Sequence, residues 1–149
     1  MMLSTKGRYG LKAMVDLALE HGGSPISTAA LAAKQGISDA YLEQLISALK
    51  KAQLIKATRG AQGGYKLART PEEINVGEVL RALEGETTLV DCVSREKVDC
   101  MNACSCSARP LWLKLQSRIN EVLDTTTLKD MADDYRIQME RSNDEESLS

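Results

Sequence analysis

Apolar residues recur at intervals of three and four along the first fifty positions, and each recurrence stops at a turn signal. Leu11, Met14, Val15 and Ala18 share one helical face, which predicts a helix from about Thr5 to Leu19, closed by His21-Gly22-Gly23-Ser24-Pro25. His21, the sole histidine, sits at that helix end and is read as a dipole partner or a solvated residue rather than a metal ligand. The stretch from Ile26 to Ser38 reads as a short helix capped by Ser27 or Thr28, a tight turn through Gly36, and a second helix starting near Ser38. That second helix turns Tyr41, Leu42, Leu45, Ile46 and Leu49 inward and leaves Asp39, Ala40, Glu43, Gln44 and Ser47 on another face. Two short helices joined by a glycine turn form a helix-turn-helix, an arrangement that also occurs in proteins that never touch DNA.

The period then changes. Leu54 to Thr58 reads as a strand and Tyr65 to Ala68 as its return, with Arg59-Gly60-Ala61-Gln62-Gly63-Gly64 between them as a small glycine-rich tip. A hairpin directly after a recognition helix is a wing. An arginine at its tip gains from the negative potential of a narrow minor groove. Plain turn geometry would also account for the glycines, whereas a phosphate-cradling loop fits poorly, because no Gly-Lys-Ser/Thr follows.

Helical periodicity returns over Ile74 to Leu83, capped by Asn75, and again over Leu111 to Leu123, with Pro110 in the first turn. Leu111, Leu115, Ile119, Val122 and Leu123 form a stripe on this long helix, which lies outside the compact head and needs a cover. A second copy of the chain is the simplest cover, giving a two-fold homodimer matched to a palindromic operator on double-stranded DNA; packing back on the head is the other option. Thr127-Leu128-Lys129-Asp130 opens a capped final helix expected to be anchored by Met131 and Tyr135, and Glu140 to Ser149 is expected to be disordered.

Composition supports a mainly helical protein: Phe is absent, so the core is built from Leu, Ile, Val, Ala and Met. The net charge of −2 speaks against nucleic-acid binding only until the chain is divided. Residues 1–70 carry ten Lys/Arg against four Asp/Glu, a net of +6, and residues 71–149 carry nine against seventeen, a net of −8. A basic head can face phosphates while the acidic part points away. No apolar run reaches the roughly 20 residues of a membrane span. The N-terminus has no secretory pattern, so a cytoplasmic location is expected.

All four cysteines, Cys92, Cys100, Cys104 and Cys106, fall in one polar stretch without helical period. Disulfides are disfavoured in the cytosol, and a loop that buries little needs another reason for order, which a metal centre supplies. The gaps of seven, three and one residues lack the paired Cys-x-x-Cys knuckles of many zinc sites. An iron–sulfur cluster, a zinc ion and a redox dithiol at Cys104 and Cys106 all stay open on chemistry alone.

Leu3-Ser4-Thr5-Lys6-Gly7-Arg8-Tyr9-Gly10, Gln35-Gly36-Ile37-Ser38, Tyr41-Leu42-Glu43-Gln44-Leu45, Arg59-Gly60-Ala61-Gln62-Gly63-Gly64-Tyr65 and Val76-Gly77-Glu78-Val79 together resemble the IscR-type iron–sulfur cluster transcription regulators, with NsrR-like and RirA-like relatives. The resemblance runs over about four-fifths of the chain and implies a winged-helix homodimer whose long helices cross, with a cluster near the interface. It implies DNA contacts by Ser38, Tyr41, Glu43 and Gln44 in the recognition helix and by Arg59, Gly60, Gln62 and Gly63 in the wing. The residue matching Glu43 is the one that influences which class of site is accepted; physically, a carboxylate accepts from a cytosine amine yet repels phosphate. At the cluster, Cys92, Cys100 and Cys106 keep the spacing of RirA-like and NsrR-like members, and Arg109 stands where the IscR type has a histidine ligand. Position 8 is Arg8 where NsrR-like members place an acidic ligand. Cys104 is then a fourth ligand, an exchangeable one or a spare thiol, and 2Fe–2S is favoured over 4Fe–4S.

The expectation is therefore a mainly α chain with a small β-hairpin wing: a winged helix-turn-helix over 1–83, a cysteine-bearing loop over 84–107, a dimerisation helix and a C-terminal helix over 108–138, and an acidic tail over 139–149. The expected function is a cluster-sensing repressor of iron–sulfur biogenesis genes, not an enzyme, with no membrane and no small-molecule substrate. The alternative is a winged-helix regulator sensing nitric oxide, iron, redox state or a partner enzyme, its cysteines binding zinc or acting as thiols.

Overall fold

The computed structural model describes residues 3–90, 93 and 106–148. Its elements follow the order α1 (Thr5–Leu19), α2 (Thr28–Gln35), α3 (Asp39–Lys51), β1 (Ile55–Thr58), β2 (Gly64–Leu67), a single 3-10 turn at Pro71–Glu73, α4 (Val76–Glu84), α5 (Arg109–Thr125) and α6 (Leu128–Ser147). The mainly helical, winged helix-turn-helix architecture is as the sequence predicts.

Side-chain caps set the helix starts. Ser4, Ser27 and Ser38 each accept a backbone N–H three residues on, so Ser27 rather than Thr28 caps α2. Asn75 and Thr127 go further, forming reciprocal capping boxes with Glu78 and Asp130. Between α2 and α3 the chain turns at Gly36, which holds φ 68 and ψ 32, a left-handed conformation that a Cβ makes costly.

One apolar core holds the head together. Met14 and Leu17 of α1, Leu31 of α2, Leu42, Leu45 and Leu49 of α3, Leu54 before the wing, and Val79 of α4 are all buried in it. Strands β1 and β2 pair antiparallel with Ile55 opposite Leu67 and Thr58 opposite Gly64. Two further bonds, Ile26 N–H to Tyr65 O at 3.1 Å and Tyr65 N–H to Ile26 O at 2.8 Å, tie the wing to the segment that enters α2. A Cβ on Gly64 would run into the Ile26 carbonyl, so glycine permits this close approach.

The C-terminal helices join the head through α4. Val76 N–H donates to Thr126 O and Leu128 N–H to Ile74 O, both at 2.9 Å, and Arg81 pairs with Asp124 at 2.9 Å. Leu128 and Ala132 anchor α6 in the core. The expected anchors do less: Met131 is half-buried and Tyr135 is exposed, because burial ends after the first turns of the helix. The stretch from Glu140, expected to be disordered, continues α6 to Ser147 with every side chain exposed.

The apolar stripe of α5 is divided. Ile119 and Leu123 are half-buried, whereas Leu111, Leu115 and Val122 are exposed at 51 %, 40 % and 61 %. At about 100° per residue the exposed three fall within one narrow strip beside the covered line. No helix among the described residues is long and apolar enough to cross a membrane.

Candidate nucleic-acid interface and metal centre

The packing of α3 decides what it can present. Leu42, Leu45, Ile46 and Leu49 face the core, leaving Asp39, Ala40, Glu43, Gln44 and Ser47 exposed. Ser38 is exposed, but its Oγ accepts the Tyr41 N–H at 3.1 Å as the helix cap. Tyr41 is half-buried and sets its ring edge-on to Tyr9, with centroids 6.3 Å apart at 88°. Of the four α3 residues expected at DNA, Glu43 and Gln44 thus stand fully clear, while Ser38 and Tyr41 also serve the fold.

At the wing tip Arg59, Gly60, Ala61 and Gln62 are exposed and Gly63 is half-buried. The tip shares a shallow cleft of about 560 Å³ with Ser24, Ser27, Ala30 and Lys34. Ser27 and Lys34 were not singled out from the sequence as interface residues. The signal lies in the pairing of Ile26 with Tyr65, which draws the start of α2 beside the hairpin and which no local period encodes.

Behind this surface, α1 is tied to α2 by Asp16. Its carboxylate is buried, accepts a hydrogen bond from Gln35 Nε2 and lies 3.6 Å from Lys34 Nζ. Lys34 therefore reaches both the cleft and the α1–α2 contact.

Of the cysteines, Cys106 is described: it is a free, half-buried thiol one turn before α5. Cys92, Cys100 and Cys104 lie outside the described residues. Among those described, no three His, Cys, Asp or Glu side chains gather as a metal site. Two features flank the cysteine stretch. Arg109, whose N–H reaches Cys106 O at 3.4 Å, carries a buried Nε that has no hydrogen-bond partner among the described residues. A guanidinium N–H in that condition calls for an acceptor or an anion. On the upstream side, Gln116 of α5 is 5 % exposed and bonds to the backbone of Thr87 and Leu89.

On the surface of α6 two side chains titrate away from their ordinary values. Asp133 is held below the ordinary carboxylate value, chiefly by the hydrogen bond from Lys129, and Lys129 is raised in turn by the same bond.

The sequence profile of the Rrf2 family, described as iron-dependent transcriptional regulator, matches residues 3–134. The transcriptional regulator CymR of Bacillus subtilis is 42 % identical over 132 residues, covering 89 % of this chain and 90 % of the relative. IscR of Aliivibrio salmonicida is 38 % identical over 151 residues, covering 100 % of this chain and 89 % of the relative. Among solved structures, CymR (YrzC), the global cysteine regulator of B. subtilis, superposes with a TM-score of 0.77 over 89 % of this chain and 97 % of its own, at 42 % identity. T. potens IscR gives 0.73 over 91 % of this chain and 88 % of its own, at 45 % identity.

Proposed function

The chain belongs to the Rrf2 family of DNA-binding transcriptional regulators, and from that premise we propose that it represses iron–sulfur biogenesis genes under the control of an iron–sulfur cluster held by Cys92, Cys100 and Cys106, with Cys104 as fourth ligand or exchangeable thiol. The observation that carries this reading is the confinement of every cysteine in the chain to positions 92–106. Thiolates are the donor set such clusters take. The buried Arg109 Nε beside Cys106, unpartnered among the described residues, fits a centre that gathers negative charge. When bound, a 2Fe–2S cluster would supply a charge and ligand demand that respond to iron, oxygen or redox state.

What the chain's own residues do follows from their attachments. Cys106 leads through one turn into α5, and the far end of α5 is pinned to α4 by the Arg81–Asp124 pair and the Val76 N–H to Thr126 O bond. Leu83 of α4 and Met14 of α1 share the core with Leu42 and Leu45 of α3. A change of order in the cysteine stretch therefore has a packed route to the recognition helix. Two chains paired along Leu111, Leu115 and Val122 would set the spacing of two such helices on a palindromic operator. Glu43 and Gln44 would read base edges and Arg59, Gly60, Gln62 and Gly63 would meet the backbone and minor groove, with Ser38 and Tyr41 at the entry of α3. The two states must differ in affinity for DNA for the cluster to act as a signal.

A second reading has its own support. The likeness to CymR, the global cysteine regulator, favours a winged-helix regulator of sulfur supply whose cysteines hold zinc, act as redox thiols or answer to a partner enzyme. Anaerobic purification with absorption spectroscopy and metal and sulfide counts separates the two, with each Cys→Ala variant alongside. Visible bands with near-equal iron and sulfide establish the cluster, the iron count gives its type, and the variants that bleach name its ligands. A colourless protein after attempted reconstitution removes the cluster reading and leaves the second. Equal affinity of loaded and unloaded protein for every operator would also sink the sensing mechanism.

A further inference from the structure

Gln116 is the one uncharged polar residue that the fold buries in its described part, and its partners explain why. Its Oε1 accepts the Leu89 N–H at 2.8 Å, and its Nε2 donates to Thr87 O at 3.1 Å and to Asn120 Oδ1 at 3.0 Å. The two backbone partners fix the sense of the amide, since an N–H faces one end and a carbonyl the other. They lie 27 and 29 residues away in sequence, in the stretch that leaves α4 and leads within a few residues to Cys92. Downstream of the cysteines, Cys106 passes by one turn into the same helix that carries Gln116. Both ends of the cysteine stretch are therefore referred to α5: one covalently through Arg109, the other through the Gln116 side chain.

We infer that Gln116 is a positioning residue, a clamp that fixes the Thr87–Leu89 backbone, which leads into the cysteine stretch, against α5, the helix that Cys106 enters from the other side. The inference rests on reading the cysteines as the sensing centre. It deepens that reading by naming the contact through which the centre is held to the dimerisation helix. A buried amide with its bonds met contributes little net stability; without it the half-buried Leu89 N–H and Thr87 C=O lose their partner and are better satisfied by water, which favours that backbone leaving the helix. Asn120, one turn on, holds the second Nε2 proton and keeps the amide from flipping.

The test uses the full-length chain, prepared anaerobically both without metal and after cluster reconstitution. Gln116→Met keeps the volume and removes all three bonds. Gln116→Glu keeps an acceptor for the Leu89 N–H and loses the donor to Thr87 O. Gln116→Leu also removes all three bonds, with a side chain of strong helix preference, and serves if Gln116→Met does not fold. In the metal-free protein, amide exchange at Leu89 should rise about tenfold or more in Gln116→Met, by loss of a net bond plus the unsatisfied partner. Alkylation of the four thiols by iodoacetamide should lose its wild-type ranking in the same variant. Gln116→Glu should restore Leu89 protection and part of the ranking. In reconstituted protein, the visible circular-dichroism bands should change in Gln116→Met and recover toward wild type in Gln116→Glu. Unchanged Leu89 exchange in Gln116→Met would overturn the clamp, and a freed Leu89 with wild-type thiol ranking would overturn its positioning role. If wild type takes up no cluster, the sensing reading fails on that result, while exchange and alkylation still decide the clamp.

Discussion

Helices α3 and α5 carry apolar stripes of similar strength, yet Leu42, Leu45, Ile46 and Leu49 of α3 are at most 2 % exposed, while Leu111, Leu115 and Val122 of α5 stand 51 %, 40 % and 61 % exposed. The head satisfies its apolar residues within one chain: α1, α2, α3, the wing and α4 close around Met14, Leu31 and Leu49. Helix α5 satisfies half of its stripe against the head and leaves the rest in water. Isolated exposed leucines need no explanation, but three apolar side chains aligned on one helix strip form the surface on which we propose that a second copy packs. The difference teaches that the same periodicity is used up by folding in the head and left open in α5, free for the proposed association.

The largest expected effect tests the first purpose. Leu45→Ala removes a side chain that is 1 % exposed, so it should cost about 2–5 kcal/mol in urea unfolding, the range for a buried leucine that leaves a cavity. A loss below about 1 kcal/mol would mean that the head is not the packed unit described. Val122→Lys tests the second purpose. The valine is largely in water in one chain, so the monomer should melt as wild type does, within error. In a two-fold pair the change is counted twice and sets like charges together, so self-association should weaken at least about a hundredfold in sedimentation equilibrium. Unchanged association would remove this strip from the interface and leave α5 without its proposed role.

Much of the head was legible from sequence because its signals are local. The turn at Gly36, the helix start near Ser38, the end of α1 at Leu19 and the cap at Asn75 each rest on residues within a few positions of one another. The exposed face of α3 followed from period alone, so Glu43 and Gln44 were placed in the open correctly. Long-range features were not legible. Periodicity names an apolar face without saying what covers it, which is why Leu111 to Leu123 read as one stripe although the fold covers part of it. Tyr135 was expected to anchor α6 by type and spacing, but the core ends at Ala132. Gln116 carried no local sign at all, since a polar residue on a helix is ordinarily solvated and its backbone partners come from the far side of the cysteines. Cys92, Cys100 and Cys104 fall outside the described residues, so their place in the site rests on composition and spacing.

A smaller effect separates reading DNA from pairing chains. Arg59→Ala removes an exposed cation from the wing tip, so operator affinity should fall by about 1–3 kcal/mol, or roughly ten- to a hundredfold, at fixed salt. Sedimentation of the same variant should match wild type. Val122→Lys should lose operator affinity too, but through dissociation, and raising the protein concentration should recover it. If Arg59→Ala also dissociated, or bound as wild type does, the division of labour between head and α5 would not hold in this form.

The smallest effect concerns α6, where electrostatics act without burial. Lys129 Nζ lies 2.8 Å from Asp133 Oδ2, and Arg136 reaches the other carboxylate oxygen at 3.0 Å. The Lys129 hydrogen bond is the main cause that holds the Asp133 carboxyl below its ordinary value; the charges of Lys129 and Arg136 add to it. A carboxyl lowered in the folded state stabilises the fold above its unfolded value, and that contribution is lost as the pH falls through the lowered, folded value. Both side chains lie at the surface, 46 % and 42 % exposed, where such pairs are screened and contribute little. Asp133→Asn should therefore lower the melting temperature only slightly at neutral pH and low salt. The difference should shrink with added salt and vanish once acid has protonated wild-type Asp133. A gap that persisted in acid, or that salt left untouched, would mean that Asp133 acts through packing rather than charge. The exposed side of the first turns of α6 would then belong with the buried architecture of the head rather than with the solvated surface.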